Sequence, residues 1–362
     1  MYRVFYILFF LFTSLYSDDL YYDVSEYNSK YNQEKKSKTF QEKVVNSTTN
    51  ISIDNKKRVK ISIVYPGMQL SDYWRRSQAS LEKRLEELNI NYELKTYFTK
   101  PATQINKQAK QLLNAIKNDS NYLIFTLDTN KHTSFIERIN SQKKPKLILQ
   151  NITTPLRKWH DKQPFLYVGF DHFLGSKVLA NEFIKQTGKK GRYAVIYGSQ
   201  GYVSYMRGTK FIDYISKNSD LELAHEYYTN FDKQKAKNAT IDLLNIDDNI
   251  DFIYACSTDI ALGVIEALEE KGYLGKIKVN GWGGGSEEIK ALKKGLLDFT
   301  IMRMNDENGI AMAEAIRLDL QGKTKQIPTI YSGSFELIKS NIDKKRLLKL
   351  EKRAFRYSNE TK

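Results

Sequence analysis

VKISIVYPGMQLSDYWRRSQASLEKRLEEL, residues 59–88, carries the reading of the fold. An apolar run from Val59 to Val64 stops at Pro66-Gly67. From about Asp72 the apolar residues return at helical spacing, with Trp74, Leu81, Leu85 and Leu88 on one face. A strand, a turn and an amphipathic helix in succession form half of a βαβ unit. Between the two elements stand Gln69, Ser71 and Trp74: an amide, a hydroxyl and an indole. Ser71 is placed to N-cap the helix, its side-chain oxygen accepting a backbone N–H. Trp74 fits the apolar helical face.

The same unit recurs along the chain. YELKTYF precedes a helix at 104–116, and YLIFTL one at 131–139. KLILQ and PFLYVGF follow, then a helix at 174–186. YAVIYG, LELAHEYY, FIYACS, IKVNGW and DFTIMRM each lead into a further helix, and IPTIYSG comes last, before a basic helix at 343–353. Strands alternating with helices over short connections predict parallel sheets covered on both faces. One sheet rarely takes that many strands, and 362 residues exceed what a single core usually holds. The expected fold class is therefore α/β, with two doubly wound parallel-sheet lobes side by side.

The opening MYRVFYILFFLFTSLYSDDL has one cation, Arg3, an apolar stretch from Val4 to Tyr16, and acid at Asp18 and Asp19. That stretch falls short of the ~20 residues that span a bilayer. It reads as a signal peptide over 1–17, although Leu15 meets the small-residue rule poorly. Export to the periplasm is the expectation, an uncleaved anchor being the competing reading of the same stretch. Residues 18–58, rich in Tyr, Asn, Ser, Lys and Glu, show little periodicity and read as a leader wrapped on the body or a tether. The single cysteine, Cys256, sits in the apolar run DFIYAC as a buried thiol, so no internal disulfide forms. The formal charge of +15 is spread over lysines that alternate with acids, as in EKRLEEL, with no helix-turn-helix or basic-aromatic module. It reads as solvated surface, with no nucleic-acid partner.

In open α/β sheets ligands gather beyond the carboxyl ends of the strands. That rule selects Gln69, Ser71 and Trp74 after the first strand and Asn151 after KLILQ. Arg207 follows YAVIYG, and Ser257, Thr258 and Asp259 follow FIYAC. Trp282 stands after IKVNG, and Arg303 in DFTIMRM. Hydroxyls and amides beside two indoles suit a small polyol held between aromatic faces. Each has a plainer use: Asn151 in a turn, Asp259 as a helix cap, Arg207 as solvated charge, Arg303 in a structural salt bridge. NGWGGGSEE lacks the Lys-Ser/Thr ending of a phosphate loop, and its glycines permit a tight turn presenting the indole. The four histidines have no metal-ligand spacing, no GxSxG elbow occurs, and the carboxylates of EKRLEE and GSEEIK read as helix surface. No residue set demands catalysis, so the chain reads as a binding protein and not an enzyme.

The wording of several segments goes further. YPGMQLSDYWRRSQASLEKRL, YLIFTLDT, LILQNITTP, PFLYVGFDH, DFIYACSTDIALG, NGWGGGS, MRMNDENGIAMAEAI and KRAFRYS resemble the LuxP family within the type I periplasmic binding proteins. The resemblance runs from about Val59 to Ser358. It implies a three-strand hinge, with crossings near Gly169–Asp171, Lys294–Leu297 and Gln326–Thr329. Lobe 1 is then 59–169 and 296–326, and lobe 2 is 170–295 and 327–358. It also implies a ligand shell of Gln69, Ser71, Trp74, Asn151, Arg207, Ser257, Thr258, Asp259, Trp282 and Arg303. The implied ligand is autoinducer-2 as a furanosyl borate diester, boron being part of the ligand and no cofactor being needed. The implied partner is a LuxQ-like membrane sensor kinase, signalled by lobe closure. The competing expectation is the solute receptor of a ribose-type sugar ABC importer, which shares the fold.

Overall fold

The computed structural model describes residues 20–47, 58–127 and 132–359. Its strands in chain order are Val59–Tyr65 (β1), Tyr92–Phe98 (β2), Tyr122–Phe125 (β3), Lys146–Gln150 (β4), Leu166–Gly169 (β5) and Lys190–Tyr197 (β6). Asp220–Tyr228 (β7), Phe252–Ala255 (β8), Lys278–Gly281 (β9), Phe299–Arg303 (β10), Ile330–Ser332 (β11) and Phe335–Lys339 (β12) follow. The helices are Val24–Lys30 (α1), Glu34–Val45 (α2), Tyr73–Glu87 (α3), Ile105–Lys117 (α4), Thr133–Asn140 (α5), His172–Thr187 (α6) and the single turn Tyr202–Ser204 (α7). Then come Lys210–Asn218 (α8), Lys233–Ile246 (α9), Thr258–Lys271 (α10), Ser286–Lys293 (α11), Asp306–Leu320 (α12) and Lys344–Ala354 (α13).

β1 is buried along its length except at Lys60, as a strand covered on both faces must be. It pairs in parallel with β2 and β3. The first sheet runs β11-β5-β4-β3-β1-β2 and the second β12-β10-β9-β8-β6-β7. The two lobes thus repeat one strand order, each with its switch point beside its first strand. The second sheet departs from all-parallel pairing: β12 runs antiparallel to β10, with Ile301 opposite Leu337. The sequence reading contained no β12.

The chain crosses between lobes at 169–172 (β5 into α6), at 303–306 (β10 into α12) and at 332–335 (β11 into β12). The second and third crossings lie further along the chain than the expected 294–297 and 326–329. Segment 299–303 belongs to the second sheet, through Phe299 beside Asn280 and the β12 pairing. α12 then packs on α3 and β5 of the first lobe, and β11 pairs with β5. An apolar strand suits either sheet, so its hydrogen-bond partners alone decide. Gly309 permits the α12–α3 contact: a Cβ there would stand 2.1 Å from Ser80 Oγ and 2.3 Å from the Ser77 carbonyl oxygen.

The segment read as a leader contains two helices docked on lobe 1. Tyr27, Phe40 and Val44 are buried. Phe40 meets the ring of Tyr331 edge-on at 5.9 Å, and Arg157 takes Glu26 through two 2.6 Å bonds. Arg356 near the C-terminus donates to the carbonyls of Val44 and Val45. The apolar anchors are widely spaced among polar residues, so the helical period is faint. The predicted signal peptide, 1–17, lies outside the described residues. Among those described, no helix is long and apolar enough to cross a membrane.

Phe40→Ala tests the docking. Truncating a buried phenylalanine costs about 3–5 kcal/mol, enough to release α2 locally. Limited proteolysis within 34–45 is expected to accelerate at least tenfold while ligand affinity is unchanged. Cleavage at the wild-type rate would mean that Phe40 does not anchor the helix.

Candidate ligand-binding site

The carboxyl ends of the two sheets face each other across a cleft. Its walls are Pro66, Gln69, Ser71, Tyr73, Trp74, Thr126 and Asn151 from lobe 1. Val203, Arg207, Phe231, Ser257, Thr258, Trp282 and Arg303 come from the second sheet and its loops. About 500 Å³ between them, part of it continuous with solvent, is free of protein atoms.

Two guanidiniums dominate the site. Tyr205–Thr209 forms one wide π turn between α7 and α8, and Arg207 projects from it; such turns recur at functional sites. Arg207 lies 4.0 Å over the Trp282 ring. Its Nε donates to His172 Nδ1 at 3.1 Å and its Nη1 to the Cys256 carbonyl at 2.9 Å. Arg303 ends β10 and lies 4.1 Å over Tyr73 and 5.5 Å over Phe170. Its Nε is buried without a hydrogen-bond partner. Both residues are 4% exposed, and neither forms an ion pair among the described residues. The solvated Arg207 and salt-bridged Arg303 considered from the sequence are therefore replaced by two buried cations without an ion pair among the described residues, Arg303 being offset only at longer range by Tyr73, Glu288 and Asp72. Burial, with Arg303's like charge second, pulls Arg207 down to about 9, and burial lowers Arg303 as well.

The fully buried carboxylate of Glu288 is already occupied. Glu288 accepts from the backbone N–H groups of Trp282, Gly283 and Gly284 at 3.0, 3.0 and 2.7 Å, and from Thr300 Oγ1 at 2.5 Å. The sequence placed it on a helix surface; it is wholly buried. It holds the glycine loop in the shape of an anion nest whose anion is the protein's own. The loop sets Trp282 against α6, where a Cβ on Gly175 would stand 2.5 Å from the indole. Trp282 Nε1 donates to the Tyr254 hydroxyl at 2.9 Å, so this indole supports Arg207 more than it presents a free face.

Two capping expectations change. α3 starts at Tyr73 and its cap position is Asp72. Ser71 Oγ receives only a long 3.5 Å contact from the Tyr73 N–H, and its hydroxyl lines the cleft. Ser257, not Asp259, caps α10, accepting from the Ile260 N–H at 3.4 Å. Asp259 is absent from the cleft wall and spans the lobes instead, accepting from the N–H groups of Leu70 at 2.9 Å and Ser71 at 3.1 Å. Asp72 makes a second bridge, accepting from Ser286 Oγ at 2.8 Å and from Arg76 Nε at 2.6 Å. These contacts hold the lobes closed.

Asn151 adopts φ 64° at the end of β4, and its Oδ1 is buried without a partner, an acceptor open to a hydroxyl. Gln69 Nε2 donates to the Pro66 carbonyl at 2.6 Å. Trp74, 4% exposed, packs on Tyr65 and Tyr73 at 4.6 and 4.8 Å, serving core and wall together. Pro66, Tyr73, Thr126, Val203 and Phe231 escaped the sequence reading. Tyr73 and Pro66 adjoin named residues, while the others carry no chemistry that sets them apart in the text. Cys256 is buried beneath the site, as expected, and burial pushes its thiol up. Among the described residues no His, Cys, Asp or Glu group is arranged to hold a metal ion.

Comparison with known proteins agrees with this architecture. Residues 61–324 match the family model of the periplasmic binding protein domain. The ribose import binding protein RbsB of Salmonella typhimurium is 24% identical over 226 residues, 61% of this chain and 74% of that protein. The D-allose-binding periplasmic protein of Escherichia coli is 27% identical over 151 residues, 41% of this chain and 48% of that protein. An ABC transporter solute-binding protein of Bacillus halodurans with bound myo-inositol superposes with a TM-score of 0.70 at 19% identity, covering 83% of this chain and 100% of that one. One from Actinobacillus succinogenes with bound D-allose gives 0.68 at 20% identity, covering 78% and 98%. These relatives are solute-binding proteins, and the chain is not an enzyme. Its two parallel-sheet lobes and matched residues place it in the type I, ribose-binding-protein-like branch: the chain belongs to the periplasmic binding protein domain family.

Proposed function

We propose that this chain is an exported, periplasmic receptor for a compact anionic polyol, of the kind represented by the furanosyl borate diester of autoinducer-2. The observation that carries the reading is the Arg207–Arg303 pair, buried in a closed cleft without an ion pair among the described residues. An unpaired buried cation costs several kcal/mol, and an anionic ligand removes that cost for both. A tetrahedral borate ester supplies one negative charge and several oxygens, to which the guanidinium forks donate charge-assisted bonds. Asn151 Oδ1, Gln69 and the hydroxyls of Ser71, Ser257 and Thr258 meet the sugar hydroxyls, and Trp74 and Phe231 border the ring. Asp259 acts at the cleft's edge, joining the lobes. Contacts available only when the lobes meet shift the open–closed balance by their differential free energy. The closed outer surface then addresses a membrane partner, a sensor kinase of the LuxQ type.

A second reading has the relatives' support. Their names describe ribose import and allose binding, and those names favour a neutral sugar delivered to an ABC importer. It leaves two like charges facing each other around a neutral ligand.

Calorimetry separates the two. Autoinducer-2 with borate is expected to bind at least tenfold more tightly than in borate-free buffer, with a tetrahedral signal in boron NMR of the complex. Ribose or allose binding more tightly, with no response to borate, would establish the importer reading instead.

A further inference from the structure

We propose that His172 is the positioning residue that aims Arg207 at the ligand's charge and ties that aim to the hinge. The proposal rests on the anionic-ligand reading for its consequence, though not for its geometry. His172 is the first residue of α6, at the first lobe crossing. Asp171 fixes the start of that helix by accepting from the Leu174 N–H at 2.9 Å. The ring is 1% exposed and is not part of the cleft wall. Its Nε2 stands 3.0 Å from the carbonyl oxygen of Asn151 in lobe 1, and its Nδ1 accepts from Arg207 Nε in lobe 2 at 3.1 Å.

These two partners determine the state of the ring. A carbonyl oxygen only accepts, so Nε2 carries the hydrogen. An arginine Nε only donates, so Nδ1 carries the lone pair. One neutral tautomer satisfies both, and a protonated ring would point an N–H at an N–H. The surroundings agree. Arg207 from the π turn and Arg303 from β10 are the charged groups felt by the ring, both cationic, while Tyr202 and Trp282 pack against it at 5.8 and 5.4 Å. Burial, and then the two arginines, hold the imidazole well below its ordinary range.

The consequence is directional. With Nε given to His172, Nη1 to the Cys256 carbonyl and one face to Trp282, the guanidinium cannot swing when the cleft is empty. Its remaining Nη2 edge is pre-oriented, which reduces the ordering cost of binding. Because the ring's other nitrogen holds the Asn151 carbonyl, the residue whose free Oδ1 waits for a hydroxyl is oriented by the same imidazole.

Two measurements test this. In ligand-free protein, nitrogen-15 NMR of the imidazole is expected to show Nε2–H with a bare Nδ1, unchanged from pH 8 to pH 5. A ring that titrates near pH 6.5, or that carries Nδ1–H, overturns the assignment. For function, His172→Asn keeps an acceptor in the region of Nδ1 and is expected to bind borated autoinducer-2 within about threefold of wild type. His172→Gln extends its amide to the Nε2 end, leaves Arg207 Nε without an acceptor, and is expected to bind about 10- to 50-fold more weakly. In an Arg207→Met background the two variants are expected to be equivalent, since their difference acts through Arg207. Equal losses in both backgrounds would mean a merely structural histidine and overturn the proposal. Should the wild type take ribose and refuse the borated ligand, the functional reading falls, and the NMR result alone upholds or overturns the role of His172.

Discussion

The double variant Arg207→Met/Arg303→Met loses affinity for an anionic ligand by about 10²–10⁴-fold and gains stability at the same time. The loss follows from charge-assisted hydrogen bonds of ~1.5–3 kcal/mol for each guanidinium. The gain follows from the empty site. Each arginine is 4% exposed, stacked on an aromatic face, and without an ion pair among the described residues. Replacing such charges by apolar side chains of similar length often stabilises by about 1–4 kcal/mol. Opposite signs on the two axes mark residues kept for function at the expense of stability. Calorimetric titration gives the first quantity and urea unfolding of ligand-free protein the second. A variant that binds normally, or one that is less stable without losing affinity, would show the pair to be structural.

Asp259→Ala has the second largest expected effect and acts by a different route. Asp259 is not itself one of the cleft-wall residues, yet its carboxylate joins α10 of lobe 2 to the Leu70 and Ser71 N–H groups of lobe 1. Truncation leaves those donors to water in the open form and without a partner in the closed one. Hydrogen bonds to a charged group contribute about 1.5–3 kcal/mol, so closure weakens by that order and affinity falls about 10- to 100-fold. The distinguishing readout is shape. Small-angle scattering of the ligand-free variant is expected to give a larger radius of gyration than wild type, while the arginine variants remain closed. If affinity falls with no change in scattering, Asp259 contacts the ligand itself and its assignment as an interlobe bridge is wrong.

The fold was legible from residues 59–88 onward because strands buried on both faces read as continuous apolar runs, and helices on a sheet read as one-sided ones. Those patterns are local, and nearly every strand and helix of the body lies close to where its period places it. The leader was less legible. Tyr27, Phe40 and Val44 are buried, but they are too sparse among lysines and glutamates to mark a face before the surface they dock on is known. β12 was missed for a related reason: FELIK has only its pairing with β10 to define it.

The site divides in the same way. The rule that ligands gather at strand ends selected nearly every polar side chain of the cleft, because strand ends are visible in a sequence. Roles were not visible. Glu288 and Asp259 look alike as acids in the first turn of a helix; one is buried as the anion of a glycine loop and the other bridges two lobes. His172 had no motif at all, since its partners are 21 residues upstream and 35 downstream.

By itself, then, the sequence determined the strand–helix units and the list of polar residues at the strand ends, because each of these depends on spacing within a short stretch of chain, and the number of strands pointed to two lobes. Only the tertiary structure decided where the chain crosses between lobes, which carboxylates already hold hydrogen bonds, and that Arg207 and Arg303 form no ion pair among the described residues. The reason is physical: the cost of a buried charge depends on what stands within a few ångströms of it, and those neighbours come from segments far apart in the chain.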